Sequence, residues 1–298
     1  MEKITKKGLL KFVLKASLST LAIYVVIQKI DLVETQKIIF QTSLGWLLLA
    51  FLMFNISKII SSIRLNSFFQ AIGLLLSGWY NLRLYYIGMF YNLFLPGGIG
   101  GDGYKVYLLH KTYNTSVKQL VAASLLDRIS GLFALVFLAL AMGMFLDLSV
   151  FGNGISGILI ALLIISYPMY YIVVKYVFKS FLKSFHISNL YSFGVQTFQL
   201  ICAFFIFKSL GVQGLYLEYL TLFLISSVVA VLPFTIGGVG ARELVFIFGA
   251  NYFMIDKNTA VAFSILFFLI TALSSFSGLF LKTGDKTMNM EEDSSDKE

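Results

Sequence analysis

Long runs of apolar residues, separated by short polar clusters, dominate the chain. A helix needs about 20 apolar residues to cross a bilayer. Six runs come close to that length or exceed it, at roughly 9–27, 44–63, 119–145, 154–178, 190–209 and 258–281. Two further runs, 79–95 and 215–233, each lead straight into a glycine-rich turn, and each turn is followed by a shorter apolar piece, 104–110 and 241–253. The runs are continuous and do not alternate, which predicts helices and argues against a membrane β-barrel. The predicted fold is therefore an all-α polytopic membrane protein with 6–8 transmembrane helices. Two of its segments are broken by Gly and Pro or are re-entrant. Residues 64–80, with Arg64, Trp79 and Tyr80, predict an interfacial segment with an aromatic anchor.

The two turns are copies of one pattern. Leu95 to Lys105 reads LPGGIGGDGYK and Leu232 to Arg242 reads LPFTIGGVGAR, with the Leu, Pro, Ile and three Gly positions matched at an offset of 137 residues. Both copies end in a cation, Lys105 and Arg242. Loop charge sets the orientation, because cytoplasmic loops are enriched in Lys and Arg. Lys3, Lys6 and Lys7 put the N-terminus in the cytoplasm; Lys105, Lys111 and Lys118 do the same for 105–118, and Lys175, Lys179 and Lys183 for a later connection. The loop around Asp147 has no cation and suits the outside. Lys11 and Lys15 interrupt the first run, and no small-residue cleavage site follows it, so it reads as an uncleaved span. If both turns are hairpin tips, the first enters from the cytoplasm and the second from outside, which makes an inverted repeat. If runs 79–95 and 215–233 cross fully, there are eight spans. Residues 1–281 form the membrane domain in either case, and 282–298 form an acidic, disordered cytoplasmic tail.

Composition narrows the function. The chain has 298 residues, 58% hydrophobic and 13% charged, where a soluble domain carries about 25% charged residues. The net charge is +8, and the tail from Lys282 onward is −3, leaving +11 for the rest. Cations dispersed between apolar runs fit anionic lipid surfaces and speak against nucleic acid. The one cysteine, Cys202, reads as core or lipid-facing packing, and His110 and His186 are too far apart in sequence to suggest a metal site. Gly98 to Gly103 matches GxGxxG, but it follows a membrane run and not a strand, so nucleotide binding is rejected. No cofactor is expected.

The turns themselves are the candidate chemistry. Pro96 and Pro233 stop or kink a helix. Gly97, Gly98, Gly100, Gly101 and Gly103, with Gly237, Gly238 and Gly240, permit unusual backbone and close approach. Non-helical backbone at membrane depth is tolerated only inside protein or along a wet cavity. Free N–H groups at the start of each following half-helix would form an anion site, with Asn92, Asp102, Lys105, Arg242 and Glu243 beside them. Against this stands a packing role for the glycines alone. Arg242 and Glu243 also read equally as a local ion pair or interface anchors. Asp127 and Arg128 sit inside an apolar run and read as cavity-lining. Lys58 and Arg64 read as interfacial, positive-inside residues. No hydrolase constellation is present in the sequence.

The stretches YNLFLPGGIGGDGYKVYLLHK, LLDRISGL at 125–132 and LPFTIGGVGAREL at 232–244 resemble one family. It is the transmembrane, flippase-like region of lysylphosphatidylglycerol synthases, also called the UPF0104 group. The resemblance runs from about residue 9 to 281. It implies a multi-pass protein of the bacterial plasma (inner) membrane that handles lipid. It also implies that the cytosolic aminoacyl-transferase domain of full-length relatives is absent, so that the chain is not itself an enzyme. The positions that match are Pro96, Gly97, Gly98, Gly100, Gly101, Asp102, Gly103, Lys105, Asp127, Arg128, Pro233, Gly237, Gly238, Gly240, Arg242 and Glu243. The leading expectation is a flippase or transporter for an anionic phospholipid or a polyprenyl-phosphate-linked lipid. The alternatives are a membrane enzyme or enzyme subunit using Asp102 or Asp127, and a scaffold for a separately encoded glycosyltransferase or lipid synthase.

Overall fold

The computed structural model describes Tyr24, Ile27, Gln28 and residues 31–94, 100–148, 154–231 and 240–282. All but a few residues of the first expected span, the Pro-Gly parts of both turns (95–99 and 232–239) and the tail beyond Lys282 lie outside them. The described elements are helical: α1 (Leu32–Phe40), α2 (Leu44–Ala71), α3 (Gly78–Phe94), α4 (Gly100–Tyr113), α5 (Val117–Gly143), α6 (Ile155–Val177), α7 (Phe185–Ser209), α8 (Tyr216–Val231), α9 (Ala241–Phe253) and α10 (Lys257–Phe280), with a 3-10 turn at Lys179–Ser184. Among the described residues, five segments are long and apolar enough to cross a membrane: Leu44–Ala71, Val117–Gly143, Ile155–Val177, Lys179–Ser209 and Lys257–Phe280. The protein is an all-helical, multi-pass membrane protein.

Two arms are shorter. At 1.5 Å rise per residue, the described parts of α3 and α8 extend about 25 Å. Each pairs with the helix after its turn. In the first hairpin Gly101 meets Gly88, Tyr91 meets Tyr104 with ring centroids 4.6 Å apart, and Tyr80 meets Tyr113 at 6.2 Å. In the second, Gly249 packs on Leu222. Both pairs are antiparallel.

The hairpins open at opposite ends of the bundle. The start of α3 is tied to the C-terminal part of α2: Asn81 Nδ2 donates to the Ser62 carbonyl at 2.6 Å, and Asn66 Nδ2 to the Leu76 carbonyl at 3.2 Å. The start of α2 is tied to the end of α7, where the Ser43 N–H donates to the Ser209 carbonyl at 3.1 Å. Helix α8 begins seven residues later, at that same end. Tyr252, near the end of α9, donates to the Asp147 carbonyl just past α5, at 3.2 Å, and α5 has by then run the length of the bundle away from α4.

Two apolar cores fill the ends. One holds Leu65, Phe68, Phe69, Leu84, Leu109, Leu126 and Phe185; the other holds Phe54, Cys202, Phe207, Phe223, Phe246, Phe263 and Phe267. Cys202 is thus a buried core residue. Along α2 the polar residues Ser57, Lys58, Ser61, Ser62 and Arg64 lie between Phe54 of one core and Leu65 of the other. Helix α6 instead exposes Ile158, Ile160, Leu162, Ile164, Ile165 and Ile172, a surface stable only against lipid.

One expectation for this region is corrected. Helix α2 does not stop at residue 63, where the apolar run ends; it continues to Ala71. Arg64 is only 4% exposed and is no interfacial anchor, because a carboxylate meets it inside the bundle. Tyr80 is buried as well, while Trp79 faces outward.

Candidate functional site

Between the two cores lies a cavity of about 430 Å³, lined by eight helices: α2 to α5 and α7 to α10. That volume is in the usual range for small-molecule sites. Four of the spans contribute residues from near their own midpoints: Lys58 of α2, Arg128 and Gly131 of α5, Gln196 of α7 and Phe268 of α10. The cavity therefore sits at mid-depth. Among the described residues its wall carries five cations, Lys58, Arg64, Lys105, Arg128 and Arg242, against three carboxylates, Asp102, Asp127 and Glu243.

The carboxylates are all engaged by protein donors. Arg64 Nε donates to Asp127 Oδ1 at 2.8 Å, and Arg64 Nη1 to Ser192 Oγ at 3.1 Å. Asp102 bridges two cations: Lys105 Nζ lies 2.8 Å from Oδ1, and Arg128 Nε 2.5 Å from Oδ2. Glu243 folds back on its own helix start, accepting from the Gly240 N–H at 2.8 Å and from Ser264 Oγ at 2.9 Å. Intramembrane charges are costly unless paired or facing a cavity, and Arg64, Lys105 and Arg128 meet both conditions.

Lys58 and Arg242 differ. No carboxylate among the described residues pairs with either. Lys58 Nζ rests over Phe54, 4.4 Å from the ring centroid. The Arg242 guanidinium rests over Phe267 at 4.5 Å and Phe223 at 5.6 Å. Aromatic faces hold a cation through their quadrupole, worth roughly 0.5–2 kcal/mol, without neutralising it. Arg242 Nη1 is buried with no hydrogen-bond partner. Two further buried atoms of the same wall, Gln196 Oε1 and Ser227 Oγ, also lack partners. An unsatisfied buried polar group costs about 1–3 kcal/mol; six other such atoms, among them Asn66 Oδ1 and Asn81 Oδ1, lie away from the cavity wall.

The family model described as the lysylphosphatidylglycerol synthase TM region matches residues 12–278. The chain belongs to that family. Among relatives, a UPF0104 membrane protein from Pyrococcus horikoshii is 26% identical, with 71% of this chain and 78% of the relative aligned.

Within this member of the lysylphosphatidylglycerol synthase TM-region family, both copies of the glycine pattern reach the cavity: Asn92, Asp102 and Lys105 from the first, Arg242 and Glu243 from the second, with Asp127 and Arg128 from α5. Pro96, Gly97, Gly98, Pro233, Gly237 and Gly238 lie outside the described residues. The described glycines do other work. A Cβ on Gly101 would sit 1.8 Å from the Gly88 carbonyl oxygen, so Gly101 is where α3 and α4 touch. Gly103 meets nothing within 4 Å, and Gly240 caps α9 at φ +83°. Gly100 opens α4. Neither helix start offers a full set of free N–H groups, because Asn92 Oδ1 accepts from the Gly101 N–H at 2.8 Å and Glu243 accepts from Gly240. The sequence reads Arg242 and Glu243 equally as a phosphate-recognising pair and as a local ion pair or interface anchors; both line the cavity and they do not pair with each other.

The sequence reading missed four contributors. Lys58 and Arg64 read from sequence as interfacial, yet both line the cavity, Lys58 near the middle of α2 and Arg64 in its C-terminal half. Gln196 and Ser227 had no signal beyond being polar within apolar runs. The intramembrane placement of Lys58 was the available clue, since a cation fifteen residues into a 28-residue helix lies too deep to anchor at a headgroup.

Proposed function

We propose that the protein binds the anionic headgroup of a phospholipid or polyprenyl-phosphate-linked lipid in the mid-depth cavity and transfers it between leaflets. The observation that carries this reading is the pair Lys58 and Arg242. Among the described residues they are two cations without carboxylate partners, held on aromatic faces in a chamber whose described carboxylates are all engaged. An anionic phosphate oxygen offers both cations a partner, and Arg presents a fork suited to such oxygens. The acyl or prenyl chains remain among the exposed apolar helix faces.

The opposite entrances of the two hairpins support a transport cycle. Two helix hairpins with matched Gly/Pro turns, meeting at mid-depth from opposite ends, suit an inverted repeat in which one half rocks against the other. The cavity then opens to each leaflet in turn. The enzyme alternative draws less support, because Asp102 and Asp127, its candidate acid–base groups, are both tied up in ion pairs. A scaffold for a separate transferase needs no such cavity.

Reconstitution into liposomes tests the proposal. With headgroup-labelled phosphatidylglycerol or polyprenyl phosphate placed in one leaflet, the protein is expected to accelerate headgroup exchange several-fold over empty liposomes. Exchange at the protein-free rate for every anionic lipid would overturn it.

A further inference from the structure

Three phenylalanines link Lys58 to Arg242. Lys58 Nζ lies 4.4 Å from the Phe54 ring centroid, and the Arg242 guanidinium lies 4.5 Å from that of Phe267 and 5.6 Å from that of Phe223. The rings also meet one another. Phe54 and Phe267 are 5.8 Å apart at 84°, and Phe223 and Phe267 are 5.1 Å apart at 60°, the edge-to-face arrangement that aromatic pairs favour. Lys58, Phe54, Phe267 and Arg242 therefore form one continuous chain of contacts, with Phe223 as a second ring on Arg242. It runs from α2 through α10 to α9, the helix that follows the second glycine turn.

Phenylalanine is common in this chain, at 30 of 298 residues, so a buried ring is by itself only packing. Phe267 differs from an ordinary core ring because it lines the cavity, lies under a cation and touches the rings that hold both cations. Phe263, one turn earlier on α10, is also buried, but among the described residues it lies under no cation. An aromatic face attracts a cation without neutralising it. A carboxylate in its place would hold the cation and cancel its charge. A side chain already held in place also loses less freedom when a ligand arrives.

We infer, resting on the lipid-binding reading above, that Phe267 is a positioning residue. With Phe54 and Phe223 it holds Lys58 and Arg242 in place, still charged, and the strength of anionic-lipid binding depends on the negative potential of its ring face.

The test measures retention of phosphatidylglycerol and of polyprenyl phosphate by the full chain in detergent, read by native mass spectrometry, with thermal unfolding alongside. Phe267 is replaced by trifluorophenylalanine, which keeps the ring's shape and removes most of the negative potential of its face. Retention is expected to fall about threefold or more, inside the roughly two- to thirtyfold range to which cation–π energies correspond, while the melting temperature holds. The same replacement at Phe263 is expected to leave retention unchanged. Phe267→Leu is expected to lower retention at least as far as the fluorinated ring does. Undiminished retention by the chain fluorinated at Phe267 overturns the positioning role and leaves lipid binding standing. An equal loss on fluorinating Phe263 assigns the effect to core packing and overturns the role as well. Retention of neither lipid by the unaltered chain overturns the lipid reading and this inference together. The fluorinated ring fills the same space as the native one, so a Phe267→Leu chain that fails to fold does not remove the test.

Discussion

Lys105 and Arg242 occupy the same position in the two copies of the glycine pattern and line the same cavity, but among the described residues only Lys105 has a carboxylate partner. Asp102, three residues before Lys105, supplies it; the second copy has Val239 at the matching place. The repeat thus gives one cation fixed in an ion pair and one held on aromatic faces.

Substitution separates the two roles. Lys105→Gln leaves Asp102 with one cation fewer in a buried setting, where breaking a pair is costly. Arg242→Gln removes a charge that pairs with no carboxylate among the described residues. Lys105→Gln is expected to lower the melting temperature more than Arg242→Gln, while Arg242→Gln lowers anionic-lipid retention about tenfold, near 1.4 kcal/mol. Thermal unfolding and native mass spectrometry on both variants check this, and the reverse order of stability would count against the assignment.

The Arg64–Asp127 pair is an internal strut. Removing one partner of a buried pair costs about 3–5 kcal/mol, while replacing both with apolar residues is often near neutral. Asp127→Asn is expected to destabilise the protein strongly, and Arg64→Met with Asp127→Leu to recover most of the loss. A double substitution as unstable as the single one would show that the pair's charge, not its packing, holds the bundle.

Gly101 and Gly103 lie two residues apart with opposite expectations. A Cβ at 101 meets the Gly88 carbonyl oxygen at 1.8 Å, and a Cβ at 103 meets nothing within 4 Å. Gly101→Ala should cost about 1–3 kcal/mol by forcing α3 and α4 apart. Gly103→Ala should be neutral or gain up to about 1 kcal/mol in helix propensity. Unfolding curves for the two variants distinguish a packing glycine from a dispensable one.

Asn92 offers a stability-neutral way to disturb the charge balance. Its Oδ1 accepts the Gly101 N–H at 2.8 Å and the residue lines the cavity. Asn92→Asp keeps that acceptor and suits the positive end of α4, but it adds a negative charge beside the ligand. Melting temperature is expected to hold while anionic-lipid retention falls; unchanged retention would place the ligand elsewhere.

The helices were legible because their apolar runs are continuous: 241–253 coincides with Ala241–Phe253, and 79–95 differs from Gly78–Phe94 by one residue at each end. The end of α2 was not, because Arg64 looks like a stop until Asp127, 63 residues later, is brought against it. Lys58 was misplaced for a related reason, since loop-charge statistics treat cations as interfacial and cannot see a cavity. Gly88 and Gly101 belong to different helices, so their contact had no local signature. The repeated pattern did reveal that Lys105 and Arg242 are counterparts. It could not reveal which had a partner, because that depends on folding and on a single Asp-to-Val difference.

The most direct test of the central claim is a cryo-electron-microscopy structure of the protein in nanodiscs containing phosphatidylglycerol. Phosphate density is expected in the mid-depth cavity within hydrogen-bonding distance, about 3 Å, of both the Arg242 guanidinium and Lys58 Nζ. Lipid density confined to the outer helix faces, with the cavity holding only water, would contradict the account.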